Sequence, residues 1–411
     1  MQGQTMKTNP ILTGRWLHWL FQQVRCGSFT VANTDGRIEH YGDGAPQFTV
    51  RLRDDDIFNL WRGDLSMSFG EAYMNGQIDV EGDLADLVAL VIRSGLMSAA
   101  VTAQGLTASV LRTTAGLRSL QRQKEDIAHH YDLGNDFYRL WLDESLTYSC
   151  GYFRSASDTL EQAQQQKIEH SLRKLRLQTG ETLLDIGCGW GALVMQSAER
   201  FGAQALGITL SKEQQVGAMA AMASRGLANK ARVQLVDYGT LAREGRQFDK
   251  IVSIGMIEHV GKAHLAEFAQ DVKTMLRPGA LALLHLITEI KDEPTNRWVK
   301  KYIFPGGYLP TLAEMVGHLS AQDLHIWDVE NLGPHYRLTL DEWSERFERA
   351  VSVIREMFDE RFVRMWRLYL RGFSASFREA SLEVHQILVS NGRPGNLSLT
   401  REDIYKAQMQ L

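Results

Sequence analysis

The stretch LLDIGCGWGAL, residues 183–193, decides the fold class, because an apolar run passes directly into a glycine-rich turn and then into a helical pattern. A short apolar run of this kind predicts a buried strand. The glycines Gly187, Gly189 and Gly191 let the backbone turn tightly and approach a ligand closely. The stretch therefore predicts a strand-to-helix turn that carries a nucleotide-like ligand.

The residues around this turn narrow the choice of ligand. Asp185 precedes the glycines, where a carboxylate suits a polar, cationic ligand and would repel a pyrophosphate. No Gly-Lys-Ser/Thr triplet occurs, which excludes a P-loop, and the second strand ends in GITLSKEQ (207–214) without the acid of a dinucleotide site. Asp237 and Tyr238 end the third strand, where they can meet an adenine. The pattern favours S-adenosylmethionine over NAD or ATP.

From about residue 180 the chain alternates apolar runs with amphipathic helical segments, which predicts a parallel sheet with helices on both faces. Ser211 is the expected N-cap of one helix, and Pro278-Gly279 the expected end of another. A helix-rich region near 340–380 precedes a late strand. The predicted strands are TLLDIGCG (182–189), QALGITL (204–210), RVQLVDY (232–238), DKIVSIGMIEHV (249–260), ALALLHLIT (280–288) and EVHQILVSNG (383–392).

This order predicts an α/β, class I methyltransferase fold: a Rossmann-like, doubly wound sheet with helical insertions and a ligand crevice at the carboxyl ends of the strands. The N-terminal part differs. Short alternating runs at 29–42 and 47–55 predict a smaller mixed α+β domain. We expect a boundary between residues 115 and 125, with an N-terminal domain over 1–120 and a catalytic domain over 121–411.

Composition sets outer limits on function. The 411 residues are 44% hydrophobic and 23% charged, as in globular proteins, and the net charge of −4 gives no support for nucleic-acid binding. The N-terminus lacks the pattern of a signal peptide, and no apolar run is long enough to span a membrane. Three widely spaced cysteines predict neither a disulfide framework nor a metal site, and fit a reducing compartment.

One of these cysteines, Cys150, lies in SLTYSCGYF (145–153) among aromatic and small residues. The residues alone leave open a nucleophile, a metal ligand, a half-disulfide or simple packing. The number and spacing of the cysteines disfavour the metal ligand and the disulfide. Packing is the commonest role of a cysteine between aromatic residues.

Several separate stretches together resemble the cyclopropane-fatty-acyl-phospholipid synthase family, in order and over about residues 125–395. The segment FGEAYMNGQID (69–79) is also similar to the additional N-terminal domain of the bacterial phospholipid enzymes. The stretches in the catalytic part are HYDLGNDFYRLWLDESLTYSCGYF (130–153), LLDIGCGWGAL (183–193), GITLSKEQ (207–214), SIGMIEHVG (253–261), FPGGYLP (304–310) and ENLGPHYRLTL (330–340).

The resemblance implies that the π-bond of an unsaturated acyl chain in a phospholipid attacks the sulfonium methyl of S-adenosylmethionine. The resulting cation loses a proton and closes a three-membered ring. Because an alkene is a poor nucleophile, such an enzyme depends on positioning, on a dry pocket and on a base near the new methyl group. The family uses bound bicarbonate as that base.

The resemblance also assigns residues. Those implied to hold bicarbonate are Cys150, Glu258, His285 and Tyr336. Those assigned to the cofactor, from the glycine turn and from the resemblance, are Tyr148, Asp185, Gly187, Gly189, Gly191, Thr209, Leu210, Gln214, Asp237, Tyr238 and Ile254. Tyr131 resembles a cofactor-pocket residue, and His259 serves either the cofactor or packing. A core histidine at 285 and a helix-capping pair at 258–259 are the alternatives. No metal ligand is assigned.

Because acyl chains lie in a bilayer, we expect a cytoplasmic enzyme, peripheral on the inner face of the membrane; a homodimer stays open. NRWVKKYIFPGGYLP (296–310) combines cations with aromatic residues, as membrane-surface segments do, although a solvated helix is an equal alternative. An amphipathic stretch at 15–24 is a weaker candidate. The rival functions are a small-molecule N-methyltransferase, an enzyme that leaves a methyl branch or a modified alkene on the same lipids, and a non-catalytic lipid-binding protein.

Overall fold

A computed structural model describes residues 17–54, 64–96, 133–292, 296–395 and 397–405. The chain divides into two compact units, and each is built from segments that are distant in sequence. The first comprises Met1–Gly116, Asn296–Ile303 and Glu348–Ser381. The second comprises Leu117–Thr295, Phe304–Phe347 and Leu382–Leu411.

The strands of the described residues form two sheets, one in each unit. Those of the first unit are β1 (Ser28–Ala32), β2 (Ile38–Gly42), β3 (Thr49–Leu52) and β4 (Ile78–Glu81). Those of the second unit are β5 (Thr182–Ile186), β6 (Gln204–Thr209), β7 (Ala231–Leu235), β8 (Phe248–Ile254), β9 (Leu276–Glu289), β10 (Leu324–Asn331) and β11 (Leu382–Asn391).

Helices connect and flank these strands. In chain order they are α1 (Leu65–Met74), α2 (Leu84–Arg93), α3 (Asn135–Arg139), α4 (Leu160–Lys174), α5 (Ala192–Phe201), α6 (Lys212–Ser224), α7 (Tyr238–Arg243), α8 (Leu265–Met275), α9 (Arg297–Tyr302), α10 (Leu312–Ala321), α11 (Gly333–Arg349), α12 (Val351–Met357), α13 (Glu360–Arg378) and α14 (Glu402–Tyr405). Two 3₁₀ turns span Ile257–His259 and Lys262–His264. Within the described ranges, no helix is both long and apolar enough to cross a membrane.

The larger sheet has the strand order β10-β11-β9-β8-β5-β6-β7. Strands β9, β8, β5, β6 and β7 run parallel, whereas β11 is antiparallel to both β9 and β10. The predicted doubly wound α/β fold is confirmed, with an antiparallel edge that the strand pattern alone did not reveal. Since parallel strands end at the same edge, the carboxyl ends of β5, β6 and β8 meet there.

Both faces of this sheet are buried, which explains why its strands are continuous apolar runs. Leu183 belongs to the core cluster with α5, and its neighbour Leu184 belongs to the cluster on the other face with α8. Successive side chains of a strand point to opposite faces, so neighbouring residues of the central strands join different cores. The glycine turn after β5 is held between these two packed layers.

Local capping fixes where the helices begin. Ser211 accepts a hydrogen bond from the amide of Gln214 at 3.3 Å, so the predicted N-cap of α6 is confirmed. The predicted helix end at Pro278-Gly279 is wrong: α8 ends at Met275, and both residues lie within β9. Leu276 already pairs with Phe248 of β8, so sheet pairing ends the helix earlier.

In the first unit, a mixed sheet of order β2-β1-β3-β4 confirms the expected small domain. Its stacked rings, Phe29 on Tyr41 and Phe29 on Phe48, fill the core. Trp298 on α9 lies over Gly70 of α1 in the same unit and is only 4% exposed. Its predicted role as a membrane-facing aromatic is therefore wrong, since its ring is used for packing.

Helix α13 also belongs to the first unit, although it lies 250 residues or more after the sheet in sequence. Three arginines spaced seven apart lie on one face of the helix and pair with three aspartates. The pairs are Arg364 with Asp79 at 2.8 Å, Arg371 with Asp83 at 3.0 Å, and Arg378 with Asp86 at 2.9 Å. Nearby, Ala85, Ala89 and Ala375 form a buried cluster of small side chains.

Candidate active site

A cleft opens at the carboxyl ends of β5, β6 and β8, within the second unit. Most residues assigned to the cofactor from sequence line it: Tyr148, Asp185, Gly187, Gly189, Thr209, Leu210, Gln214, Asp237, Tyr238 and Ile254. His259 lines it as well, whereas Gly191 is not among its lining residues. Tyr131 lies outside the described residues.

The glycine turn has the backbone geometry that only glycine adopts without strain. Gly187 and Gly191 both have φ near +80°, and a Cβ on Gly187 would come within 2.8 Å of the Met256 side chain. A Cβ on Gly191 would instead meet Met222 of α6 at 3.0 Å. Gly187 therefore keeps the cleft open, while Gly191 allows close helix packing behind it.

Two buried charges lie on the cleft wall. Burial raises the pKa of Asp185 to about 7, although Lys167 partly opposes the shift. Burial also lowers the pKa of Lys167 to about 8. The Lys167 ammonium donates to the hydroxyl of Ser149 at 2.9 Å. A cation and an acid therefore face a cleft that is otherwise largely apolar.

The sequence interpretation missed Lys167. A signal was present: Leu160, Ala163, Lys167 and Ile168 share the buried stripe of α4, so a lysine stands where an apolar residue is expected. A lysine at such a position needs a buried partner. The identity of that partner depends on which strand ends the helix faces, and the stripe does not contain that information.

The polar side chains at the carboxyl end of β6 are arranged around Thr209. Its hydroxyl donates to the Gln214 side-chain oxygen at 2.7 Å and accepts from the Ser211 amide at 3.1 Å. The Gln214 NH₂ group is thus left as a donor for a ligand in the cleft. Asp237 caps α7 through the Gly239 amide at 3.0 Å and presents the rest of its carboxylate to the cleft.

Glu258 and His285 lie next to the cleft, in a second group of polar side chains. Strand β8 ends at Ile254, whereas β9 continues, and Glu258 Oε1 accepts the hydrogen bond of the Ile287 amide at 2.7 Å. Glu258 Oε2 and His285 Nε2 are buried without a hydrogen-bond partner among the described residues. A buried polar atom of this kind is stabilised when a hydrogen-bond partner is supplied.

The segment between Ile254 and Val260 connects the two groups. Gly255 donates to the His285 carbonyl at 2.9 Å, and Met256 and His259 line the cleft. Glu258, between them in sequence, is absent from the cleft lining and bonds to β9 instead. One short segment therefore separates the cofactor cleft from the Glu258–His285 pair.

Cys150 and Tyr336 lie on other segments of the second unit. Cys150 is fully buried, and its thiol donates to the carbonyls of Gly151 at 3.2 Å and Leu332 at 3.8 Å. Tyr336 on α11 is half-buried, and its ring packs edge-on against the ring of Trp343. The Trp343 ring in turn packs against the ring of Tyr148, with 5.2 Å between the ring centroids. An aromatic bridge thus connects Tyr336 with the cleft lining.

The surroundings set the protonation of these groups. Burial raises the pKa of the Cys150 thiol, so it stays protonated and is no nucleophile at neutral pH. Burial raises the pKa of Glu258 to about 7. Burial, reinforced by Lys167 and Lys174, holds the pKa of His285 well below its ordinary value. Near neutral pH, the imidazole is therefore uncharged and the carboxyl titrates.

Comparison with known families gives a match to mycolic acid cyclopropane synthetase over residues 118–387, about two-thirds of the chain. The chain belongs to the mycolic acid cyclopropane synthetase family. Residues 16–99 match a separate domain of unknown function, DUF7884. Members of this synthetase family resemble the chain along most of its length, as the relatives below show.

Two relatives extend over both parts of the chain. A probable fatty acid methyltransferase of Pseudomonas putida is 37% identical and covers 88% of this chain and 92% of its own. The cyclopropane-fatty-acyl-phospholipid synthase of Escherichia coli (strain K12) is 35% identical and covers 87% of this chain and 92% of its own. The solved cyclopropane synthase MmaA2 of Mycobacterium tuberculosis has a TM-score of 0.62 and 33% identity, covering 67% of this chain and 99% of its own. As a member of the synthetase family, the protein is an S-adenosylmethionine-dependent methyltransferase.

Proposed function

We propose that the protein transfers a methylene group from S-adenosylmethionine to the cis double bond of unsaturated phospholipid acyl chains and so forms cyclopropane fatty acids. The observation that carries this proposal is the pair of orphaned buried atoms, Glu258 Oε2 and His285 Nε2, next to the cofactor cleft. An amine is itself a good nucleophile and needs no bound bicarbonate, whereas an alkene needs a base for the proton lost after methyl transfer.

In this proposal the cofactor lies in the cleft along the β5 turn. S-Adenosylmethionine supplies the electrophilic methyl group when bound. Asp185 would accept hydrogen bonds from the cationic end of the cofactor, the Gln214 NH₂ would donate to one of its oxygen or nitrogen acceptors, and Asp237 would meet its adenosine end. Gly187 and Gly189 let the backbone approach, while Tyr148, Leu210, Tyr238 and Ile254 exclude water.

The second group of side chains would hold bicarbonate. Bound bicarbonate supplies a base for the proton that the methylated acyl chain must lose. Glu258 accepts a hydrogen bond through Oε2, and His285 donates one through Nε2. Cys150 and Tyr336 complete the wall of this site, with Cys150 as a neutral thiol.

The relatives support a phospholipid acyl chain as the substrate. The Escherichia coli enzyme, named for acyl phospholipids, matches along 87% of this chain, N-terminal part included. The solved mycolic-acid-type synthase corresponds to 67% of the chain. We propose that the enzyme works as a peripheral protein at the inner face of the membrane, with a lipid-associated N-terminal part. A fatty acid carrying a methyl branch is the second candidate product, favoured by the name of the Pseudomonas relative.

The test is incubation with S-adenosylmethionine and vesicles of monounsaturated phospholipid, followed by mass spectrometry of the fatty esters. We expect a gain of one CH₂ per acyl chain. Because a methyl-substituted alkene has the same mass as the ring, proton NMR of the esters must show the upfield signals of a cyclopropane. Signals of a substituted alkene would assign the second candidate, and methyl transfer to an amine alone would overturn the proposal.

A variant isolates the orphaned pair. Glu258→Gln should abolish turnover while cofactor binding, measured by calorimetry, stays unchanged. The matched control is Glu213→Gln, an exposed glutamate of α6, which should keep full activity. Full activity in Glu258→Gln would remove this residue from the mechanism.

A further inference from the structure

A buried chain of hydrogen bonds leads from α4 through β11 to His285. The Ser171 hydroxyl donates to the Lys167 carbonyl at 2.8 Å. The Gln386 side-chain nitrogen lies 3.2 Å from Ser171 Oγ and 3.2 Å from His285 Nδ1. Ser171 and Gln386 are completely buried and His285 is 2% exposed, so water does not compete for these bonds.

The direction of each bond follows from the first one. Since the only proton of the Ser171 hydroxyl is directed to the Lys167 carbonyl, Ser171 Oγ can only accept from Gln386. The group of Gln386 that faces Ser171 and His285 is therefore the NH₂, which has two protons to donate. Its second proton goes to His285 Nδ1, and a ring nitrogen that accepts a hydrogen bond carries no proton.

We infer that Gln386, oriented by Ser171, is a positioning residue that holds His285 in the tautomer with its proton on Nε2, so that Nε2 is a hydrogen-bond donor in the active site. The inference rests on the proposed function for the role of that donor. The hydrogen-bond chain itself does not depend on which substrate the enzyme uses.

The surroundings agree with a neutral ring. Burial and the nearby Lys167 and Lys174 depress the pKa of His285, so a second proton on Nδ1 is disfavoured. His285 Nε2 is then a buried donor without a partner among the described residues, and Glu258 Oε2 is a second buried atom without one. A ligand that accepts a hydrogen bond would satisfy the Nε2 donor.

The opposite orientation of the amide is less favourable. In the present orientation the Gln386 oxygen is buried without a hydrogen bond, and a flipped amide would leave the nitrogen in the same condition. The flip gains nothing there, and it places an acceptor against Ser171 Oγ, whose proton is already committed. Ser171 would have to give up its hydrogen bond to the Lys167 carbonyl to donate to that acceptor.

The test is ¹⁵N NMR of the full-length protein with labelled histidine, because the shifts of the two ring nitrogens report which one is protonated. The His285 signals are assigned as those absent from His285→Asn. We expect Nδ1 to have the shift of an unprotonated nitrogen and Nε2 that of a protonated one. A proton on Nδ1 in the wild-type protein overturns the inference.

Gln386→Glu reverses the bond, since a carboxylate accepts and does not donate, so we expect the proton to move to Nδ1. The matched control is Thr288→Val: the Thr288 hydroxyl contacts Nδ1 of His385 at 2.9 Å, on the same two strands. That variant should change the His385 signals and leave those of His285 as they are. A His285 tautomer that is unchanged in Gln386→Glu overturns the inference.

Ser171→Ala is a second variant, which leaves the size of residue 386 unchanged and removes only the group that orients its amide. We expect both tautomers of His285 to be populated, and a single unchanged tautomer would contradict the role of Ser171. In turnover assays, Gln386→Glu should lower kcat by a factor on the order of 100 with unchanged KM for S-adenosylmethionine. If the wild-type protein forms no cyclopropane either, the proposed function fails while the NMR result still decides the tautomer.

Discussion

Burial sets the charge state of the ionisable residues around the cleft. It raises the pKa values of Asp185 and Glu258 and lowers those of Lys167 and His285. All four shifts favour the neutral form, as expected where water is largely excluded. A dry site of this kind protects a cationic intermediate from water and strengthens each remaining hydrogen bond.

Cys150→Ser should reduce turnover without abolishing it. The thiol is a buried neutral donor to the Leu332 carbonyl, and a serine hydroxyl can replace a donor although it is smaller and more polar. Initial rates of ring formation, measured alongside cofactor binding, check this expectation. A folded, cofactor-binding variant with no activity would point to a chemical role for the sulfur.

Glu258→Gln should also stabilise the protein at higher pH. The folded protein raises the pKa of Glu258 from 4.5 to about 7, so it binds this proton more tightly than the unfolded chain does. Stability is therefore lost as the pH rises from about 4.5 to about 7. At pH 8 the variant, which has no charge to bury, should exceed the wild type by roughly 3 kcal/mol in the free energy of unfolding.

Urea unfolding at pH 5 and pH 8 measures this difference. The two proteins should differ little at pH 5, because Glu258 is then largely protonated in the folded state. Glu213→Gln serves as the control and should show no such pH-dependent gain, since its side chain is exposed. An equal effect of Glu258→Gln at both pH values would contradict the pKa shift.

Some of these residues could be predicted from the sequence and others could not. Asp185, Thr209 and Asp237 stand at the ends of apolar runs, and the fold rule that strand ends form the crevice places them there. The partners of Lys167 and the role of Gln386 become visible only when α4 and β11 are known to pack beside β9. Gly191 was assigned to the cofactor because it belongs to the turn, yet its missing Cβ makes room for Met222.

At the scale of elements, α1 and α9 of the first unit show how one glycine governs helix packing. A Cβ on Gly70 would come within 2.2 Å of the Trp298 ring, so the two helices fit only with glycine at this position. Gly317 of α10 is its opposite, because nothing lies within 4 Å of a Cβ built there. Packing therefore requires glycine at position 70, whereas it leaves room for a larger residue at position 317.

Gly70→Ala should destabilise the protein by about 1–3 kcal/mol through overpacking, whereas Gly317→Ala should stabilise it by about 0.5–1 kcal/mol through helix propensity. Thermal unfolding of both variants beside the wild type measures the two effects. A stabilising Gly70→Ala would show that Trp298 can move aside at little cost.

Helix ends and membrane segments were the weakest sequence predictions at this scale. Pro278-Gly279 has the composition of a helix stop, but strand pairing with β8 begins two residues earlier. Trp298 follows a cation in a segment typical of membrane surfaces, and local composition cannot reveal the glycine of α1 that receives its ring. In both cases the deciding partner is distant in sequence.

At the scale of the whole molecule, the first compact unit is assembled from three separate segments of the chain. Helix α13 gives it buried Trp366, Tyr369 and Leu370, together with the arginines that pair with the aspartates of β4 and α2. The sequence pattern assigns this helix to the catalytic domain. A single boundary near residue 120 cannot describe a unit that also contains segments from later in the chain.

A fragment that ends at Gly116 should therefore not fold cooperatively on its own. Without α13 the Ala85–Ala89 surface of α2 stays uncovered, and Asp83 and Asp86 lose their partners. Thermal melts followed by circular dichroism should show a broad, non-cooperative transition for the fragment and a sharp one for the full chain. A sharp transition in the fragment would mean that the later segments are dispensable for this unit.

The three-segment construction also has a consequence for protein synthesis. The first segment of the unit leaves the ribosome early, but the 265 residues from 117 to 381 must follow before the last segment of the unit, which contains α13, is complete. At usual elongation rates this takes roughly 15–50 s. During that interval the apolar surface that α13 will cover is a natural binding site for chaperones, so production of this enzyme should depend on them more than its size alone suggests.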